Sequence, residues 1–289
     1  MSQRQLAAAA AAVVIGAVVL AACGSSGPST GSSTTHPQHT TTSSTVQASL
    51  STTSSSSPTS TSTTGGAGSG PMVTATLPVV VCQTSSGVTT TTAALPGSVS
   101  VSVPVADAQQ GNLAVYSDET GALMLIGPTV GWTCTGNFGA DGSGMMALAP
   151  VGTTVPTAGT TWQLPASSST QAIVAMESGG SPVQGAALVC PLFSSARAAM
   201  QQNLGKSCAA AGVSREHVVS ISSVAVGFQD PPGMTGVGFP SGGQNPANGV
   251  ALYQPKPSEP TAYLATCTLP ASQQDLCTAV LNHFVATFG

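Results

Sequence analysis

The sequence predicts an α+β domain over residues 71–289, with a mainly antiparallel β-sheet, two amphipathic helices and stapling disulfides. Short apolar runs, several of them alternating with polar residues, recur along this region between Gly, Pro, Asp and Asn clusters. Two longer segments, about 192–205 and 272–288, carry apolar residues at helical spacing. An even set of six cysteines completes the pattern of a disulfide-stapled domain.

The strand predictions come from alternation and from turn signals. "PGSVSVSVPV" (Pro96–Val105) places four valines on one face, as a half-buried strand does. Residues Asn112–Gly127 read as a hairpin around "DETG", and "GWTCTGNF" with "GMMALAP" reads as a second hairpin around "GADGSG". Further strand candidates are Val73–Cys82, Thr160–Leu164, Gln171–Glu177, Ala186–Cys190, His217–Val226, Val250–Tyr253 and Ala262–Thr268.

Each predicted helix carries a capping signal at one of its two ends. Gly205 follows the first helix where a C-terminal cap favours positive φ, after an apolar series of Leu192, Phe193, Ala196, Met200 and Leu204. In the second helix, Ser272 and Asp275 have the spacing of a capping box. Its predicted apolar face consists of Leu276, Val280, Leu281, Phe284 and Phe288. We expect that face to pack on a sheet.

The cysteines of this domain are Cys82, Cys134, Cys190, Cys208, Cys267 and Cys277. Six cysteines allow about 15 connectivities, among which spacing alone does not choose. Order along the chain favours neighbours, 82–134, 190–208 and 267–277, with the last two clamping the predicted helices to their preceding strands. No CxxC or CxxH pair occurs, so the sequence predicts neither a metal site nor a cofactor.

The chain begins with one arginine, an uncharged run of 15 residues, Leu6–Leu20, and then "LAAC" ending at Cys23. The run has the length of a secretory signal rather than of a membrane-spanning helix. This arrangement resembles the lipobox of bacterial lipoproteins. The resemblance implies a signal peptide over 1–22, a diacylglyceryl thioether on Cys23 and anchoring at the extracytoplasmic face of the cell membrane. The alternative is an ordinary secretory signal with Cys23 incidental.

Residues 23–70 follow as a lipidated cysteine and a linker dominated by Ser and Thr. The linker carries no charge and few large apolar side chains, so we expect it to be disordered and to hold the domain off the membrane. His36 and His39 lack the further ligands that a metal site needs. Such Ser/Thr-rich segments also resemble O-glycosylated stalks. The Ala, Gly, Thr and Val content resembles envelope lipoproteins of high-GC Gram-positive bacteria.

Charge excludes one class of partner. Lys, Arg, Asp and Glu together make up 5% of the chain, against about 25% in ordinary soluble domains. All nine acids and only four bases lie in residues 71–289. Without a basic stripe, nucleic-acid binding is not expected.

The familiar catalytic motifs are absent from residues 71–289: this domain has no GxSxG, SxxK, HExxH, GxxxxGK[ST] or helix-opening GxGxxG. His217 and His283 are the only histidines of the domain, and both also fit a solvated strand end and a helix edge. A hydrolase that assembles its Ser, His and Asp only in the folded state stays open, because triads are recognised by geometry.

One segment is too long and too rich in Gly and Pro for an ordinary connection, Phe228–Gly249. We expect it to be a ligand or partner loop, or else a variable surface loop, with candidate contacts Phe228, Asp230, Phe239, Asn245 and Asn248. Trp132 and Trp162 fit core anchors or ligand platforms. Residues 166–171, "ASSSTQ", are a candidate seam between two lobes.

These features favour a membrane-anchored binding or accessory module of the cell envelope. Its partner would be an envelope protein, a glycan or a small molecule. A sizeable apolar pocket under the Phe228–Gly249 loop would favour this hypothesis. The alternatives are a structural envelope protein without a specific ligand and the cryptic hydrolase.

Overall fold

The computed structural model describes residues 70–86, 94–139, 143–156, 162–178, 181–211, 217–255 and 261–289. All of them fall within one compact unit, Ser60–Gly289. The predicted signal peptide, Cys23 and the linker up to residue 69 lie outside the described residues. Among the helices in the described ranges, none is long and apolar enough to cross a membrane.

The described chain forms twelve strands and four α-helices. The strands are β1 Met72–Val81, β2 Gln83–Ser86, β3 Ser98–Pro104, β4 Leu113–Ser117, β5 Met124–Pro128, β6 Trp132–Phe138, β7 Gly144–Pro150, β8 Ala172–Ser178, β9 His217–Ser220, β10 Ala225–Asp230, β11 Ala247–Gln254 and β12 Thr261–Thr268. The helices are α1 Val105–Gln110, α2 Pro182–Val189, α3 Ser194–Leu204 and α4 Gln274–Phe288, the last preceded by a 3₁₀ turn at Ala271–Gln273.

The strands form two sheets, both of them mixed. The small sheet has the order β3-β1-β4-β5 and the large sheet has the order β2-β6-β7-β8-β12-β11-β10-β9. The β1–β4 and β2–β6 pairs are parallel, and the remaining neighbours are antiparallel. The expected mainly antiparallel sheet is thus two sheets, each with one parallel pair.

The large sheet has two differently covered faces. On one face, α4 packs against β3 and β5 of the small sheet and against β11 and β12 of the large sheet. This first core joins the two sheets and α4 around Ile126, Ile173 and Phe284, each fully buried. On the opposite face lie two separate apolar clusters. The α2–α3 cluster contains Ala186, Val189 and Phe193, and the Trp162 cluster contains Met145, Ala147 and Val174.

The structure confirms the predicted disulfide bonds and pairs the cysteines in chain order. Cys82 and Cys134, with Cα atoms 5.2 Å apart, join the point where the chain leaves the small sheet to β6 of the large sheet. Cys267 and Cys277 clamp α4 to the preceding strand, as expected. The third bond, Cys190–Cys208, differs from expectation because Cys190 ends a helix, α2, rather than a strand.

Several local predictions were wrong. Ala186–Cys190 was expected to be a strand and lies in α2 and its C-terminal cap. Ser272 does not cap α4 with Asp275; the Asp275 carboxylate instead accepts the backbone N–H of Gly70 at 3.0 Å. Leu204 was placed on the apolar face of its helix, yet it is 45% exposed.

The two predicted helices correspond to α3 and α4, and the first of them ends where the sequence indicates. Gly205 caps α3 with φ 62°, in the left-handed region where glycine is favoured. The other two helices, α1 and α2, were not expected. The predicted strand His217–Val226 is two antiparallel strands, β9 and β10. The division into two lobes near residues 166–171 stays a prediction.

Candidate functional site

An open groove lies on the large sheet between the α2–α3 cluster and the Trp162 cluster. Its wider part has a volume of about 560 Å³, within the usual range of roughly 300–1,000 Å³ for ligand sites. One wall is the outer side of α2 at Ala187 and Leu188, and the other is the loop segment 235–239. Met176 on β8 packs against both clusters and lines the groove between them.

The loop wall is built on a buried carboxylate. Asp230, the last residue of β10, is 1% exposed and accepts the backbone N–H groups of Val237 and Gly238. The chain lies so close to this carboxylate that a Cβ at Gly236 or Gly238 would overlap it. Glycines at these positions therefore allow the backbone to fold directly over Asp230. The result is a fixed wall rather than a free loop.

Further hydrogen bonds tie the same loop to the sheet and to the segment before β8. The N–H of Phe239 donates to Oγ1 of Thr266 at 3.3 Å, and Oγ1 of Thr268 donates to the carbonyl of Pro240 at 3.2 Å. Ser241 pairs with the 162–164 segment, donating to the Trp162 carbonyl and accepting from the N–H of Leu164. Because both β12 and this segment hold it, the loop is preorganised before any ligand arrives.

Two aromatic residues line the wider part of the groove. Trp162 and Phe239 meet edge to face with ring centroids 5.8 Å apart. Trp162 is 7% exposed and packs over Met145, Ala147 and Val174. The contact fixes both rings, since edge-to-face pairs contribute about 0.5–1.5 kcal/mol beyond their burial.

The opposite wall is α2, and its sequence explains why it forms. Ser181 is the N-cap, and its hydroxyl accepts the N–H groups of Val183 and Gln184 at 3.2 and 3.3 Å. Ala186 and Val189 are fully buried against the sheet, whereas Ala187 is exposed toward the groove. Both sides of the helix are therefore apolar.

An unusual carboxyl lies at the end of β8, on the other face of the sheet. Glu177 is cross-strand from Tyr263 and lies on the same side of β8 as Ile173 and Ala175. Burial, and then the negative charge of Asp118, raises the pKa of Glu177 to about 7. Glu177 is among the residues that line the groove, while strand alternation places its side chain on the face of the first core.

The predicted loop residues do not form one site. Only Phe239 lines the groove. Phe228 is buried in the α2–α3 cluster with its ring over Gly249, and Asp230 is the internal anchor of the loop. Asn248 accepts from Gln229 Nε2 and donates to Gln274 Oε1, both at 2.6 Å, so it connects β10, β11 and α4. Asn245 is half-buried.

The histidines do not support an acid–base site. His217 is exposed at the start of β9. Nε2 of His283 is buried without a hydrogen-bond partner in the described part of the chain, and burial lowers the pKa of this residue. No cluster of three or more His, Cys, Asp or Glu side chains suited to a metal occurs in the described ranges.

No signal in a single segment could have located the groove, because its lining comes from positions as distant as Ser143, Trp162, Leu188 and Val237. Ser181 followed by Pro182 is, however, a recognisable helix start that would have identified α2. No family model, curated protein or solved structure matches this chain.

Proposed function

We propose that this protein is a binding module of the cell envelope, held at the membrane by lipid on Cys23, that takes its ligand in the groove between α2 and the loop. The groove supports this proposal more than any other single observation. It combines a volume of about 560 Å³ with a wall that Asp230 and Thr266 fix in place. Preformed concave sites with apolar walls and a few neutral polar groups are typical of ligand binding.

The two tryptophans offer a direct test. Trp162 lines the groove, whereas Trp132 packs against the first core on the other face of the large sheet. Because the chain has only these two, Trp132→Phe leaves Trp162 as the single tryptophan. We expect at least one fraction of the bacterial cell envelope, water-soluble or lipid-soluble, to change the emission of Trp162 in a saturable way.

A groove-filling variant and a matched control decide the outcome. Ala187→Phe fills the groove from an exposed position on α2, and Ala286→Phe adds the same ring at an exposed position on α4. The first substitution should abolish the response and the second should leave it unchanged. If no fraction changes the emission of Trp162, or if the change persists in Ala187→Phe, a structural envelope role without a specific ligand would be favoured.

The membrane anchor is tested separately. Metabolic labelling with a fatty-acid analogue should label the wild-type chain and not the Cys23→Ser variant. Cys82→Ser is the control, because Cys82 belongs to the disulfide with Cys134. Label retained after Cys23→Ser would contradict the lipid anchor and leave the groove proposal untouched.

A further inference from the structure

A second, narrower part adjoins the wide part of the groove. It has a volume of about 310 Å³ and is lined by Pro191 and by residues 209–211 after α3. The two parts share four wall residues, Ala187, Leu188, Gly236 and Val237. Every described residue that lines the narrower part is Ala, Leu, Pro, Gly or Val, so all of its polar surface is main chain. The ligand chemistry here depends on which main-chain groups lack a partner.

The loop wall directs carbonyl groups away from the interior of the protein. The N–H groups of Val237 and Gly238 both donate to the carboxylate of Asp230. Because these two peptide groups are trans and planar, the carbonyl oxygens of Gly236 and Val237 lie on the side opposite Asp230. Neither carbonyl accepts a hydrogen bond within the described ranges. The loop therefore presents two acceptors, with a buried negative charge behind them.

The last turn of α2 leaves two more carbonyls without donors. In a longer helix the N–H of residue 191 would bond to the carbonyl of Ala187, but Pro191 has no N–H. The N–H of Leu192 donates to the carbonyl of Val189 at 2.9 Å rather than to that of Leu188. In the described chain, neither Ala187 nor Leu188 has a donor at its carbonyl. Both carbonyls point toward the C-terminal end of α2, the negative end of its dipole.

A neighbouring carbonyl shows what these acceptors attract. Nη1 of Arg197 donates to the carbonyl of Pro191 at 3.0 Å, as basic side chains commonly do at helix C-termini. By contrast, none of the described residues that line either part of the groove is Lys, Arg or His. The N–H groups of Ala209 and Ala210 also lack partners among the described residues, but the four carbonyls of the shared walls outnumber them. The shared walls thus offer acceptors without a cation to match them.

From this surplus of acceptors we propose that the groove binds a primary ammonium group on an apolar stem. The ammonium lies between the carbonyls of α2 and those of the loop, and the stem lies in the wider part beside Trp162 and Phe239. An ammonium group donates three hydrogen bonds and accepts none, whereas a hydroxyl brings acceptor capacity of its own. This inference rests on the proposed function and specifies its ligand class. A free amine and the lysine side chain of a peptide are the two sources of such a group.

The first test compares three hexyl compounds on the full-length chain carrying Cys23→Ser and Trp132→Phe, in which Trp162 is the single tryptophan. Hexylammonium should change Trp162 emission saturably. It should bind at least about tenfold more tightly than hexanol, which has one donor, and than hexyltrimethylammonium, which has the charge but no N–H. Ala187→Phe, which fills the groove, should abolish the response, and Ala286→Phe should leave it unchanged. Equal binding of the three compounds would overturn the proposal.

Pro191→Ala tests the helix carbonyls directly. The new N–H can bond to the carbonyl of Ala187, so hexylammonium should bind about threefold to tenfold more weakly, the effect expected for one hydrogen bond. Hexanol, measured on the same variant, is the control and should bind as before. Unchanged hexylammonium affinity would overturn the placement of the ammonium at α2. The comparison of the three compounds does not depend on this variant.

A blocked Ala-Lys-Ala peptide and its Nε-acetyl-lysine form distinguish the two sources. Tighter binding of the lysine peptide than of hexylammonium identifies a peptide, and weaker binding identifies a free amine; both support recognition of the ammonium. Equal binding of the acetylated and unmodified peptides would overturn it. If the amines fail while an envelope fraction still changes Trp162 emission and is blocked by Ala187→Phe, this ligand class is wrong and the binding function stands.

Discussion

The two faces of the large sheet are made from the same strands and are covered in different ways. On one face, a single long helix and a second sheet fill the space completely, and residues such as Met146, Leu148 and Phe284 have no exposed surface. On the other face, the cover comes in two pieces, α2–α3 and the 162–164 segment with its loop. The gap between the pieces is the groove. A groove can thus arise where two covering layers fail to meet.

The largest difference between the faces should appear when an aromatic ring is removed from each. Phe284 is fully buried in the first core, so Phe284→Ala should lower the free energy of unfolding by about 3–5 kcal/mol. Phe239→Ala, at the edge of the groove, should cost only about 1–2 kcal/mol because its site is already open and the Trp162 contact is its main loss. Urea denaturation measures both. Equal costs would mean that the groove face is as tightly filled as the core.

The two disulfides that hold helices should also contribute unequally to stability. Replacing both cysteines of either pair by Ala should lower stability by roughly 2–4 kcal/mol. The Cys267–Cys277 loss should be the larger, since both residues are buried in the first core. Hydrogen exchange distinguishes the local effects: loss of Cys190–Cys208 should expose residues 206–211 and spare α4. Faster exchange in α4 in that variant would contradict this separation.

Each face also has a buried aspartate that holds a turn. Asp230 holds the groove loop, and Asp118 accepts the N–H groups of Thr120 and Leu123 in the β4–β5 hairpin. Replacement of either by Asn should cost about 1–3 kcal/mol, the range expected when buried donors lose an acceptor. Asp230→Asn should accelerate amide exchange at residues 237–238, and Asp118→Asn at residues 120–123. Unchanged exchange at 237–238 would mean that other contacts fix the groove wall.

What the sequence could predict also differs between the faces. Turn segments located both hairpins, and the apolar face of α4 was recognisable because its other side is polar. Helix α2 was mistaken for a strand because it is apolar on the side that meets the sheet and also on the side that lines the groove. The same property that lets α2 form an apolar wall of the groove therefore removed the amphipathic signal. The position of Cys82 between the two sheets could not be predicted from its neighbours in sequence. It depends on the pairing of β1 and β2 with strands that are distant along the chain.

The smallest expected effect is a pH dependence of the free energy of unfolding. Two groups, Glu177 and His283, contribute to it in opposite directions. The pKa of Glu177 is raised from 4.5 to about 7 by burial and by Asp118. The folded state thus favours the protonated carboxyl, whose contribution is fully present below about pH 4.5 and is lost as pH rises through about 7. Without solvent screening, this pKa shift would change the free energy of unfolding by ~3 kcal/mol. Screening of this half-buried group reduces the change to about 1–2 kcal/mol.

His283 acts in the other direction. Burial lowers its pKa below the ordinary 6.5, so its contribution is present above about pH 6.5 and is lost as pH falls through the folded-state value. The stability difference between the wild-type chain and Glu177→Gln isolates the first effect, because His283 is common to both. From pH 4.5 to 8 the wild type should lose about 1–2 kcal/mol relative to Glu177→Gln, as measured by urea denaturation at each pH. A constant difference across that range would show that Glu177 is solvated like a surface carboxyl. The face of the sheet that bears it would then be less completely closed than its packing indicates.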